Sequence, residues 1–311
     1  MAIGFEAMAV IKQFDSLFDM MEAFPDEQSA IDQLRSIRWK DGAFCPYCGS
    51  TRVYNFSDNR THKCGDCRQR FSIKVGTIFE DSKIPLRKWF MAVWLITSHK
   101  KGIASTTLAR DIKVTQKTAW FMLHRLRHAA RTKSFNRPLE GTVEVDETFI
   151  GGKEKNKHES KRQNAGRGAV GKAVVFGALE RNGEFRAFHI HSLKGVKAAV
   201  EAHVREGSIV MTDEFPGYKG LSKSYYHQTV NHSEGEYVRG FYFHTNSIEG
   251  AWSHIKRQIY GIHHWISDKH LGNYLSEMTW RYNRRDIEDG TRMNSLLAQS
   301  EGRLTYRELI A

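Results

Sequence analysis

The sequence predicts an α/β fold, with a small metal-stapled module and a helical segment placed ahead of the main sheet. Three observations carry this. All four cysteines fall in two close pairs between residues 45 and 67. Apolar residues recur at helical spacing up to about residue 131 and shift toward alternation from Gly141. Beyond Gly141, three strand-like runs, a helix-like run, a fourth strand and two more helices follow one another, which is an α/β order.

A chain of 311 residues, 40% hydrophobic and 12% aromatic, is long enough for two or three compact domains with a sizeable core. Its 47 Lys and Arg outnumber 35 Asp and Glu, and a formal charge of +12 favours a polyanionic partner, nucleic acid first and an anionic membrane second. The first 24 residues mix apolar side chains with Lys12, Asp15, Asp19 and Glu22, so they lack the unbroken apolar core of a signal peptide. No run approaches the roughly 20 apolar residues that span a bilayer. A soluble cytoplasmic protein is expected, nucleoid-associated when bound to DNA.

Residues 1–40 predict two N-terminal helices, with Ile11, Phe14, Phe18 and Met21, then Ile31, Leu34 and Ile37, separated by Pro25. Residues 41–78 change to Gly, Asn and Asp turns with short aromatic runs, which reads as small hairpins. Within them Cys45, Cys48, Cys64 and Cys67 follow C-x2-C-x15-C-x2-C, a spacing that offers four thiolates to one tetrahedral zinc. Two disulfides are the competing reading, and they require an oxidising compartment of which the sequence gives no sign. Four protein ligands would close the site to substrate, so this zinc is structural and replaces a core that so short a segment cannot build. Arg52, Lys63, Arg68, Arg70 and Lys74 could track a phosphate backbone or simply solvate the module.

Residues 79–135 return to helical spacing, with a stripe of Trp89, Phe90, Val93, Trp94 and Ile96. A short helix over 106–111, a turn at 112–114 and a longer helix over 115–128 make a helix-turn-helix plan. It leaves Thr115, Gln116 and Lys117 polar at the start of the second helix, where a DNA groove would meet them. Trp120 and Phe121 are read as core.

Residues 138–288 predict the main α/β domain. Strands are expected over 142–150, 173–179, 185–190 and 209–212, with Arg181-Asn182-Gly183 as a hairpin turn. One helix is expected over 196–205 and two more over about 247–260 and 268–283. The basic stretch 153–172 reads as an exposed loop, and 289–311 as a C-terminal tail.

In the first strand Glu144, Asp146 and Thr148 alternate with Val143, Val145, Glu147 and Phe149. Asp213 ends the short strand Ile-Val-Met-Thr before a Pro-Gly turn, at the sheet edge where α/β folds place their sites. Glu249 opens a helix-like run, with Trp252 and Lys256 on its face at offsets three and seven. Three separated acids that converge would hold a divalent cation.

Taken together, the four cysteines, Val-Glu-Val-Asp146-Glu-Thr-Phe-Ile-Gly-Gly, Thr-Asp213-Glu-Phe and His-Thr-Asn246-Ser-Ile-Glu249-Gly-Ala-Trp-Ser-His-Ile-Lys256-Arg257 resemble bacterial insertion-sequence transposases of the DDE type with an N-terminal zinc ribbon, a group related to Merlin-type transposons. The resemblance runs from about residue 25 to 285. It implies an RNase H-like catalytic domain preceded by the zinc ribbon and the helix-turn-helix region. It also implies Asp146, Asp213 and Glu249 as catalytic ligands of two Mg2+ or Mn2+ ions, a geometry suited to in-line phosphoryl displacement. Members of the group carry Glu, Asn or His in the third position, so Asn246 competes with Glu249; the 35 intervening residues and Lys256 favour Glu249. Lys256 and Arg257 would then contact DNA beside the site. The implied partners are transposon ends and target DNA, with a homodimer or larger synaptic complex and no membrane. A metal-dependent nuclease without joining activity and a zinc-ribbon transcription regulator are the alternatives.

Overall fold

The computed structural model describes residues 11–131, 137–152, 158–162, 171–230 and 242–311. Most of the basic stretch 153–172 lies outside the described residues. The chain divides into two compact units, Met1–Ala130 with Asp286–Ala311, and Arg131–Arg285.

In the first unit α1 (Leu17–Ala23) and α2 (Glu27–Arg38) start at side-chain caps. The Ser16 hydroxyl accepts from the Asp19 N–H, and Asp26 and Ser29 form a reciprocal capping box. The cysteine-rich segment forms a three-stranded antiparallel sheet of β1 (Val53–Asn55), β2 (Thr61–Cys64) and β3 (Arg70–Ser72). α3 (Leu86–Ser98) has no cap of its own at Pro85; instead the Glu27 carboxylate, at the start of α2, accepts from the N–H groups of Leu86 and Arg87 at 2.8 and 3.0 Å. α4 (Ser105–Asp111) and α5 (Gln116–Ala129) are joined by a tight turn in which Lys113 has φ 51°. Trp120 and Phe121, expected in the core, are half-buried; the ring of Phe121 meets that of Tyr306 edge-on and carries the Arg125 guanidinium on its face.

The segment 289–311 is no tail. It forms α9 (Asp289–Ala298) and α10 (Tyr306–Ile310), and α9 packs against α3 and α2. Met293, Leu296, Leu297 and Leu309 are buried, and the Arg292 guanidinium donates to the Thr97 carbonyl at 2.9 Å. Their three- and four-residue spacing is helical, and a short amphipathic run close to the end of a sequence is easily read as loose chain.

The second unit is a five-stranded sheet in the order β6-β5-β4-β7-β8. β4 (Thr142–Ile150), β5 (Ala173–Glu180) and β6 (Phe185–Ile190) are antiparallel, while β7 (Ile209–Thr212) and β8 (Tyr226–Thr229) run parallel to β4. Four strands lie where alternation predicts them. β8 was not foreseen, because Tyr-His-Gln-Thr is a polar edge strand held by backbone pairing to β7 and not by an apolar face. One face of the sheet is covered by α6 (Val196–His203), through Val196, Ala199 and Val200 against Val143, Val145 and Phe176. The other is covered by α7 (Asn246–Gln258) and α8 (Asp268–Tyr282), through Ile248, Trp252, Leu271 and Leu275 against Val175, Leu179 and Phe185. α7 runs on into a π-helical turn, Ile259–His263. Among the described residues no helix is long and apolar enough to cross a membrane.

A Cβ added at Gly290 would lie 1.9 Å from the Phe14 carbonyl oxygen. Gly290→Ala is therefore expected to lower the unfolding free energy of the first unit by about 1–3 kcal/mol, the usual effect of overpacking, in urea or thermal denaturation. An unchanged midpoint would show that α9 is not anchored there.

Candidate active site

The parallel pairing of β4 and β7 sets the two aspartates side by side. Thr142, Val143 and Glu144 stand opposite Ile209, Val210 and Met211, and continuing that register two residues further brings Asp146 level with Asp213. Asp213 follows the last residue of β7, and its Oδ1 accepts from the Phe215 N–H at 3.0 Å. Asp146 is half-buried and faces α7, where the Trp252 indole donates to its Oδ2 at 2.9 Å.

That bond needs room. Asp146 pairs with Gly177 on β5, and a Cβ at Gly177 would lie 2.3 Å from Trp252 Cζ2. The bare glycine is what lets the indole pack against β5 and reach Asp146 on the neighbouring strand.

Glu249 stands one turn before Trp252, exposed, with the Thr245 hydroxyl donating to its Oε1 at 3.3 Å. Asn246, the alternative third ligand, is exposed at the first position of α7. Lys256 is half-buried and Arg257 exposed, farther along α7.

The electrostatics tie the acids together. The Asp146 carboxyl is pushed up to about 6, first by burial, then by the charge of Asp213 and, more weakly, of Glu249; the Trp252 bond pulls the other way. Next to it, on the opposite face of β4, Glu147 is pushed up to about 7 by burial and by the charges of Asp213 and Asp146, although the Tyr218 hydroxyl donates to its Oε2 at 2.5 Å. Tyr218 is itself held well above its ordinary range, by burial and then by Glu147. Hard carboxylate oxygens from three elements suit Mg2+ or Mn2+.

Glu144 is wholly buried on the same face of β4 as Asp146. Its Oε2 accepts from the N–H groups of Ser247 and Ile248 at 2.9 and 3.0 Å, and its Oε1 from the Ser247 hydroxyl at 3.0 Å and Arg181 Nε at 2.7 Å. Arg181, in the β5–β6 turn, also donates to the carbonyls of Tyr242 and His244 at 2.8 and 2.9 Å. Alternation alone puts Glu144 and Asp146 on one face. What sequence reasoning missed is that the start of α7 would land on Glu144, and that Arg181 and Tyr218 would enter the site region; nothing in local pattern signals contacts so distant in sequence. A cavity of about 830 Å3 lined by Thr142, Arg205, Ile209 and Tyr226 lies at the other end of β4 and β7, away from the acids.

In the first unit the four cysteine sulfurs lie within 4.8 Å of one another, the one cluster of candidate metal ligands gathered so closely among the described residues. Cys45 and Cys67 are 3.6 Å apart, as are Cys48 and Cys64. Four sulfurs about 2.3 Å from one ion stand about 3.8 Å apart, so the set fits tetrahedral zinc and is far wider than a disulfide of about 2.05 Å. At the start of α5, Thr115, Gln116 and Lys117 are all exposed. Thr115 caps the helix by accepting from the Thr118 N–H, Gln116 donates to Ser105, and Lys117 lies over the Tyr306 ring.

Sheet, acids and cysteine module together define a DDE-type transposase with an N-terminal zinc ribbon, and the comparisons agree. Residues 138–283 match the ISXO2-like transposase domain and residues 25–70 the transposase zinc-ribbon domain. The chain belongs to this family of insertion-sequence transposases, and its second unit is the RNase H-like domain of that family. It is 32% identical over 277 residues to an uncharacterized protein in transposable element ISH50 of Halobacterium salinarum, covering 82% of this chain and 90% of that one. An uncharacterized transposase-like protein of Haemophilus influenzae is 33% identical over 90 residues, 29% of this chain and 71% of that one. The crystal structure of the Mos1 strand transfer complex aligns at 13% identity over 68% of this chain and 81% of that chain, with a TM-score of 0.22, too loose a likeness to carry an argument.

The raised acids fix a pH dependence. Asp146 and Glu147 bind protons more tightly folded than at their ordinary values of 3.8 and 4.5. Their contribution to stability is full below those values and is lost as pH rises through about 6 and 7. In metal-free protein, Asp146→Asn should thus gain on the wild type in melting temperature between pH 4 and pH 7; a difference constant over that range would contradict the placement of Asp146. Gly177→Ala should displace Trp252 and cost about 1–3 kcal/mol, read by denaturation together with the shift in indole fluorescence.

Proposed function

We propose that the second unit cleaves DNA at the ends of a transposon and joins the freed 3′-OH to target DNA, using two Mg2+ or Mn2+ ions held by Asp146, Asp213 and Glu249. What supports this is geometry: the β4–β7 register brings Asp146 level with Asp213, and Trp252, which bonds Asp146, stands one turn beyond Glu249 on α7. When bound, such ions supply activation of the attacking oxygen and stabilisation of the leaving one. The chain's own residues do the rest. The carboxylates fix the ion positions, Trp252 orients Asp146, and Lys256 and Arg257 hold DNA phosphates beside the acids. Glu249 is preferred to Asn246 as third ligand on the 35-residue spacing after Asp213, on Lys256 seven residues further along, and on its place one turn before Trp252, which bonds Asp146.

The first unit recognises the terminal repeats, through Thr115, Gln116 and Lys117 at the start of α5 and through the ribbon, which holds one structural Zn2+ on Cys45, Cys48, Cys64 and Cys67. Joining two ends requires a dimer or larger assembly on DNA.

A labelled, pre-cut transposon end incubated with a plasmid and Mg2+ or Mn2+ tests the reading. Labelled end should appear covalently joined to plasmid; cleavage with no joining would identify a nuclease instead. Asp146→Asn, Asp213→Asn and Glu249→Gln should each lower joining on the order of a hundred- to a thousandfold while still binding the end, whereas Asn246→Ala retains activity. Unchanged activity in the aspartate variants would leave only a DNA-binding regulator. Elemental analysis should find one zinc per chain, lost together with ribbon folding in Cys64→Ser.

A further inference from the structure

We infer that Arg181 and the wholly buried Glu144 form a clasp that positions the third acid for metal binding. This rests on the proposed role of Asp146, Asp213 and Glu249. Glu144 and Asp146 are two residues apart on one face of β4, about 6.7 Å along the strand. Glu144 holds the backbone of Ser247 and Ile248, the residues immediately before Glu249. Asp146 holds Trp252, one turn beyond Glu249. Two attachments from one rigid strand fix both the translation of α7 along its axis and its rotation about it, and Glu249 lies between them.

Arg181 closes the clasp from the other side. Its guanidinium bonds Glu144 at 2.7 Å and the carbonyls of Tyr242 and His244, the residues that lead into α7. Its own N–H donates to the carbonyl of Thr142 at the start of β4. A planar, multiply donating group is needed for this, and lysine supplies a single point of charge. Neither residue touches the reacting atoms; both act through the position of α7.

The test compares Glu144→Gln and Arg181→Lys with the wild type and with Val200→Ala, a cavity variant in the core under α6 that lowers stability without touching α7. For each, at a temperature where all are folded, the Mn2+ concentration giving half-maximal strand transfer is measured, with Mn2+ affinity of the isolated protein by calorimetry. Partners that orient metal ligands typically change metal affinity 10- to 100-fold. Both clasp variants should raise the half-saturating Mn2+ about tenfold or more, recover most of the wild-type rate at saturating Mn2+, and bind transposon-end DNA as tightly as the wild type. Val200→Ala should leave the Mn2+ requirement unchanged. The inference is overturned if the clasp variants lose stability with no change in Mn2+ requirement, or if Val200→Ala shifts it equally. Should Glu144→Gln not fold, Arg181→Lys alone decides by the same criterion. Wild-type protein that binds no Mn2+ would overturn the reading of the carboxylate site itself, an outcome separate from a failure of the clasp.

Discussion

A carboxylate removed from water is the constraint on which the second unit is built. Burying Glu144 without partners would cost several kcal/mol, and its oxygens are instead met by two backbone N–H groups at the positive end of a helix, one hydroxyl and one guanidinium. Those N–H groups are orphans of the α7 start, where no side-chain cap is present. Each partner therefore resolves the other's unmet bonds. Removing one leaves the rest stranded, at about 3–5 kcal/mol for a buried charge pair. β4, the β5–β6 turn and the start of α7 are locked together by this single group, and two of the three acids, Asp146 on β4 and Glu249 on α7, ride on those segments.

The sheet adds the complementary constraint. Parallel pairing of β4 with β7 sets the C-terminal end of β7 beside the middle of β4, so two aspartates far apart in sequence come level. Gly177 then opens the sheet surface for the Trp252 ring, and the ring steadies Asp146. Burial, and after it the charges of neighbouring acids, raises the proton affinities of Asp146 and Glu147.

Much of this was legible in the sequence. The strands at 142–150, 185–190 and 209–212, the turn at Arg181 and the helices around α7 and α8 follow from period and turn chemistry, which are local. The cysteine module follows from spacing, because metal geometry restricts which spacings work. The rest depends on information that local pattern does not contain. β8 is stabilised by pairing and carries no apolar stripe. Glu144 has the same alternation whether its face meets solvent or a helix. Glu27 looks like an ordinary first-turn acid of α2, yet it caps α3. In each case the decisive partner lies beyond the reach of local pattern, 17 residues away for β8, 103 for Glu144 and 59 for Glu27.

The first unit is assembled from two segments that flank the second unit in sequence, with α9 seated on α3 and α2 and Gly290 pressed against the backbone of Phe14. The order of synthesis then has a physical consequence. A growing polypeptide can complete the contiguous second unit, Arg131–Arg285, while the earlier-made first unit still lacks its closing helix. Until α9 emerges, the apolar surface of α3 that it covers is open to water. Maturation of the first unit thus waits on translation of α9, and a message cut short before α9 yields a finished sheet domain tethered to an unfinished one.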